Sequence, residues 1–160
     1  MGRMHYYTRQ YDQAIEQSRR VLEMDSSFAP AYVLIGDAYI QKGMHKEAIN
    51  ELNKARTVSG DEKGVLAELG YAYAVAGQRF KVQKILRELN NQTPRAYIDP
   101  GSIAIIFIGL GDKDQAIAWL EKAYDVRSTL MTWLKVEPKF DSLRSDPRFT
   151  ALLKKVGLEK

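Results

Sequence analysis

The sequence predicts an all-α fold, an α-solenoid of antiparallel helix pairs in 34-residue repeats closed by a C-terminal capping helix. Three observations predict it. Packing columns recur at a fixed step: Ala14, Ala48, Val82 and Ala116, then Gly2, Gly36, Gly70 and Ala104, then His5, Tyr39, Tyr73 and Phe107. Each column advances by about 34 residues per copy, the step of a helix–turn–helix repeat. A turn column runs in register with them at Gly43, Gly77 and Gly111, with Arg9 at the degenerate first copy. Near the C-terminus the period stops and a different, capped helical pattern replaces it.

Residues 1–28 read as a partial first repeat. By period, Met1 stands where Ile35, Leu69 and Ile103 stand in later copies, so the chain enters this unit partway along its first helix. Excision from a longer array is the expectation. The second repeat spans 29–62. Its first helix, "YVLIGDAYI", holds Gly36 in its middle, where glycine costs about 1 kcal/mol relative to alanine. Gly36 and Gly70 therefore belong where another helix crosses closely, against the small residues of the Ala14 column. In "QKGMHKEA", "VAGQRFKV" and "GLGDKDQA" the glycines fall between helical runs, where a positive φ closes the first helix. Ala48, Ile49, Leu52 and Ala55 then mark one face of the second helix. Residues 63–96 form the third repeat, with the face Val82, Ile85, Leu86 and Leu89; Gly60 breaks the chain before it and Pro94 after it. Residues 97–130 form the fourth, with the face Ala116, Ile117, Leu120 and Ala123. Residues 131–160 are the cap. There "SDPRFTALLKKVGL" offers Ser145 or Asp146 as N-cap, Pro147 at the first helical position and Gly157 as a stop. Phe149, Leu152, Leu153 and Val156 give that helix one apolar face to seal the last unit. The whole of 1–160 is thus one domain, because stacked units share a continuous core.

The columns and the "Gly-x-x-Tyr" cores resemble the tetratricopeptide repeat family. The stretches "YIDPGSIAIIFIGLGDKDQAIAWLEKAYDVRS" and "WLKVEPKFDSLRSDPRFTALLKKVGL", roughly Tyr97 to Leu158, look like the C-terminal repeat segment of bacterial multidomain signalling proteins. In that group such arrays follow a serine/threonine kinase, a nucleotide cyclase or a winged-helix DNA-binding domain. The resemblance implies a non-enzymatic scaffold or adaptor that binds a protein or peptide, as a helix or an extended segment, in the groove lined by its first helices. Mapped by period, the groove candidates are Tyr6, Tyr7, Val33, Leu34, Asp37, Ile40, Gln41, Glu68, Tyr71, Val75, Ile105 and Ile108, with Arg3, Ala67, Ala74 and Ser102 beside them. Some arrays of the family grip a terminal carboxylate through Lys and Asn side chains. The matching positions here are Val33, Asp37, Ala67 and Tyr71, so that clamp is absent. The groove reads as apolar and aromatic, with Asp37 and Glu68 as isolated acids, and apolar grooves take amphipathic helices or self-associate.

Composition narrows the alternatives. At 160 residues and 45% hydrophobic content the chain can bury a core. No apolar run reaches the length of a membrane span, and the start "MGRMHYYTRQ" lacks the apolar centre of a secretory signal. A cytoplasmic location is the expectation. Without cysteine there are no disulfides or thiolate metal sites. No metalloprotease, phosphate-loop or nucleophile-elbow string occurs, so no catalytic residue, metal ligand or cofactor is assigned. His5 reads as a packing residue and His45 as a solvated one. Asp112 and Asp114 precede a helix and suit its N-terminus by charge. The net charge of +4 comes largely from seven cationic side chains after Arg127, set against four acids. That mixture argues against a nucleic-acid-binding array, which remains the second alternative after a structural or dimerising segment.

Overall fold

The computed structural model describes residues 2–60, 62–91 and 98–158. Met1, Pro94 and Tyr97, which enter the sequence argument, lie outside them. Helices α1 (Gly2–Tyr7) and α2 (Tyr11–Met24) make the first pair, α3 (Ala29–Gln41) and α4 (His45–Ser59) the second. The third pair is α5 (Lys63–Val75) with α6 (Arg79–Asn91), and the fourth is α7 (Pro100–Leu110) with α8 (Lys113–Asp125). Helix α9 (Pro147–Val156) closes the chain. Sequence neighbours pack on one another, and α3, α5 and α7 also stack side by side. This is the α-solenoid that the columns predict.

The column of Gly36 and Gly70 marks close crossings. The side chains nearest to these glycines are Leu52, Ile85 and Ile106 rather than the small residues of the Ala14 column, because these large side chains fill the space that a missing Cβ leaves. A Cβ on Gly36 would lie 2.7 Å from Cγ of Leu52, and one on Gly70 would lie 2.9 Å from Cδ1 of Ile106. Helix α4 approaches α3 at Gly36, and α7 approaches α5 at Gly70, so closely that an added Cβ would require Leu52 or Ile106 to shift. Ala14, Ala48 and Ala116 are fully buried and Val82 nearly so. In the turn column Gly43, Gly77 and Gly111 hold φ near 73°, 71° and 75°, and Arg9 holds 64° in the same left-handed region.

Helix starts divide into two groups. Helices α2 to α5 begin at Gln10, Phe28, Met44 and Glu62 without a side-chain cap. Such short helices are marginal alone, so their packed faces must hold them. Helices α7, α8 and α9 are capped by Asp99, Asp112 and Asp146, whose carboxylates accept from the backbone N–H groups of Gly101, Gln115 and Arg148. Of the two expected candidates, Asp146 is the cap of α9, and Gly157 ends it at φ 79°. Phe149 and Leu152 bury that helix's apolar face, and it packs on α8.

Before α9 the chain follows a path that the period does not announce. Two 3-10 turns, Thr129–Trp133 and Pro138–Leu143, form a return segment. The Ser128 side chain caps the first turn and the Glu137 side chain the second, while Pro138 denies an N–H to any longer helix. The segment crosses the faces of the first helices back to α1. Leu134, Phe140 and Leu143 are fully buried in the main core, and the Tyr6 hydroxyl donates to Glu137 across 131 positions at 2.8 Å.

Candidate functional site

Successive first helices bring one column of positions into line: Arg3, Asp37, Tyr71 and Ile105, each a period apart. Beside it runs a second column of Leu34, Glu68 and Ser102. These helices are otherwise apolar, so an acid here needs a partner. Lys139 of the return segment is that partner. Its ammonium donates to Asp37 Oδ2 at 3.0 Å and to Glu68 Oε2 at 2.6 Å, and lies 5.5 Å from the centroid of the Tyr71 ring. Lys139 is 5% exposed. Asp37 and Glu68 are therefore not the isolated acids of the sequence reading.

Glu137 completes the cluster, accepting from the Tyr6 hydroxyl and, at 3.2 Å, from the backbone N–H of Lys139. Asp37 Oδ1 is buried with no hydrogen-bond partner among the described residues. Titration follows from this crowding. Burial, reinforced by the Glu68 charge, pushes the Asp37 carboxyl well above the usual range, although Lys139 pulls the other way. Burial works against the Lys139 ammonium, but Asp37, Glu68 and Glu137 outweigh it and hold its pKa well above the ordinary lysine value. Burial likewise raises Tyr6 and Tyr71, with the same acids adding to it. Taking the Lys139 ammonium out of such a cluster strands the buried acids and costs about 3–5 kcal/mol.

The return segment leaves part of the concave face open as a pocket of about 240 Å³. Of the expected groove residues, Tyr6, Tyr7, Val33, Leu34, Asp37, Glu68 and Ile105 line it, together with Arg3 and Ser102. Tyr71 stands next to Lys139 but is 5% exposed, and Ile40, Ala67, Ala74 and Ile108 are buried. Gln41 and Val75 are half-buried and lie outside the pocket lining. The return segment supplies a wall that period mapping did not include: Thr129, Leu130, Trp133, Glu137 and Lys139. At the mouth the Tyr7 and Trp133 rings stack with centroids 5.0 Å apart. A signal for Lys139 existed, since two acids on apolar helices call for a buried cation, but nothing local distinguishes it from the other lysines of the tail.

The remaining candidates have structural roles. His5 is half-buried, and its Nδ1 shares a 2.7 Å hydrogen bond with Gln10 Oε1. His45 is half-buried at the start of α4, with Nδ1 lacking a partner among the described residues, rather than fully solvated. Asp114 pairs with Arg148, and Arg144 with Asp141, so these tail cations are already engaged by acids. Among the described residues no helix is long and apolar enough to cross a membrane, and no group of His, Asp and Glu has the arrangement of a metal site.

Residues 8–63 match a family model described as tetratricopeptide repeat, and residues 101–129 match a second model of the same description. Together the matches cover just over half of the chain, and the return segment lies almost wholly beyond them. No curated protein matches the chain.

Proposed function

Because the chain belongs to the tetratricopeptide repeat family, whose repeats generally mediate protein–protein interaction and scaffolding, we propose that it is an adaptor that holds a protein or peptide at its concave face, within a larger signalling or regulatory protein. The observation that carries this reading is the pocket: side chains from α1, α3, α5 and α7 converge there, and the stacked, partly exposed Tyr7 and Trp133 rings belong to its lining. The return segment already covers much of the face that the first helices share. The partner therefore inserts a short anchor and rests its flanks on the rim, instead of laying a whole helix along the array.

The test is affinity capture from lysate of the source organism, with the wild-type chain beside a Tyr7→Ala/Trp133→Ala variant. Both rings are partly exposed at the mouth, so the fold tolerates their loss better than a charge at Tyr71 or Ile105, which are 5% and 4% exposed. A partner held by the wild type and lost by a variant with unchanged circular dichroism supports the adaptor reading. The same captured set from both chains would overturn it.

A self-associating segment is the second reading, and one surface favours it. Val21, Met24 and Phe28 are exposed near the N-terminal end, and Val21 and Phe28 line a shallow groove of about 340 Å³ with Gly2, Ala31 and Leu34. Light scattering across a concentration series distinguishes the two, since a monomer at all concentrations excludes the second.

A further inference from the structure

The concave pocket is out of electrostatic balance. Among the described residues its lining carries four carboxylates, Asp37, Glu68, Asp99 and Glu137, against two cations, Lys139 and Arg3. The chain as a whole is net positive at +4, so the sign of the pocket is local and opposes that of the molecule. Asp99 is fully engaged, with one oxygen accepting from the Gly101 N–H and the other from the Ser128 hydroxyl. Lys139 serves one oxygen each of Asp37 and Glu68, and Glu137 uses a single oxygen for both its bonds. The Asp37 side chain is nine-tenths buried and lines the pocket, yet its Oδ1 has no partner among the described residues. Buried carboxylate oxygens are ordinarily satisfied, so the cluster is short of positive charge and of donors.

Two further observations point the same way. Lys139 keeps its proton against burial because the carboxylates around it, Asp37 first, outweigh the cost of desolvation. The stacked Tyr7 and Trp133 rings stand at the mouth, and aromatic faces attract cations. Size sets the scale of the ligand. Small-molecule sites span about 300–1,000 Å³, and a pocket of about 240 Å³ suits one side chain. The same acids repel a phosphorylated or acidic segment.

We propose that this pocket receives a single cationic side chain, lysine or arginine, from the partner, held by the Glu68 and Glu137 carboxylates and covered by the Tyr7–Trp133 pair. The inference rests on the concave pocket being the partner site and specifies the chemistry that it selects. Arg3, exposed on the rim, repels the incoming cation and sets an upper limit on affinity.

The chain has two tryptophans, and only Trp133 lines the pocket; Trp119 sits under the Lys122 ammonium elsewhere. The two indole N–H resonances therefore report on the pocket and on an internal control. The full chain is titrated into the millimolar range with n-butylammonium, ethylguanidinium, n-butanol and butyrate. Saturable shifts of Trp133 with the two cations alone, unchanged at Trp119, are expected. Glu137→Gln, which keeps an acceptor for Tyr6, is expected to weaken cation binding about tenfold, and Arg3→Ala to strengthen it. An equal response to butanol or butyrate overturns the cation assignment but leaves the concave pocket as the partner site. Silence of Trp133 towards all four probes overturns the assignment as well, and the ring-variant capture then decides the adaptor reading separately. Failure of Arg3→Ala to strengthen binding also counts against it, and that exposed substitution leaves the fold intact.

Discussion

Asp37 and Lys139 show how one buried contact sets stability and titration together. Lys139 is the cation bonded to both acids from inside the core, so Lys139→Met leaves both without it and is expected to destabilise the fold by about 3–5 kcal/mol in urea denaturation. Asp37→Asn should act in the opposite direction. The folded state holds the Asp37 proton more tightly than the unfolded chain, so carrying the charge in the fold lowers stability as pH rises through the raised value, and acid restores it. Facing groups are Glu68 and Tyr71 on α5, Tyr6 and Arg3 on α1, and Glu137 and Lys139 on the return segment. The variant is expected to raise Tm above wild type at alkaline pH, with the difference shrinking as acidification approaches the ordinary carboxylate range. A gain that grows on acidification would contradict the assigned direction. The acids were legible in the sequence as acids on apolar helices. Their partner was not, because Lys139 lies 102 and 71 positions away in an aperiodic segment.

At the scale of single elements, the first turn departs from the others. Arg9 adopts the left-handed backbone that glycine supplies in the later copies, and its guanidinium pairs with Asp141 of the return segment at 2.9 Å. Left-handed backbone costs a side-chain-bearing residue about 1–2 kcal/mol, while an exposed ion pair contributes roughly 0.2–1 kcal/mol. Strain is the larger effect. Arg9→Gly is therefore expected to be more stable than Arg9→Ala by about 1 kcal/mol, measured by chemical denaturation of both. Equal stabilities would mean that the turn relaxes. This degenerate position was visible from the glycine column alone, since the period demands a positive φ there whatever residue occupies it. What Arg9 touches was not visible, because that depends on where the return segment passes.

For the whole molecule, the return segment changes how the array holds together. A solenoid's units contact only their neighbours, so its ends usually fray independently. Here Tyr6, Tyr7 and Arg9 of the first unit bond to or stack on Glu137, Trp133 and Asp141 near the other end of the sequence. Loss of residues 129–160 is expected to remove amide protection from α1 as well as from α8, although most of the chain separates them. Protection confined to losses around α8 would indicate that the units remain coupled only to their neighbours. In the intact chain the same ties favour one cooperative transition over stepwise unfolding.

The sequence by itself determined the helix pairs, the close crossings at Gly36 and Gly70 and the left-handed turns. Each is a contact within a unit or between adjacent units, so a 34-residue step repeats its chemistry and exposes it to inspection. Only the tertiary structure decided which part of the concave face stays open. That depends on an aperiodic segment whose buried Lys139 finds its partners on helices far back in the chain. Periodicity records the contacts that recur; Lys139 meets Asp37 and Glu68 once, by the path of the chain, and leaves no repeat to read.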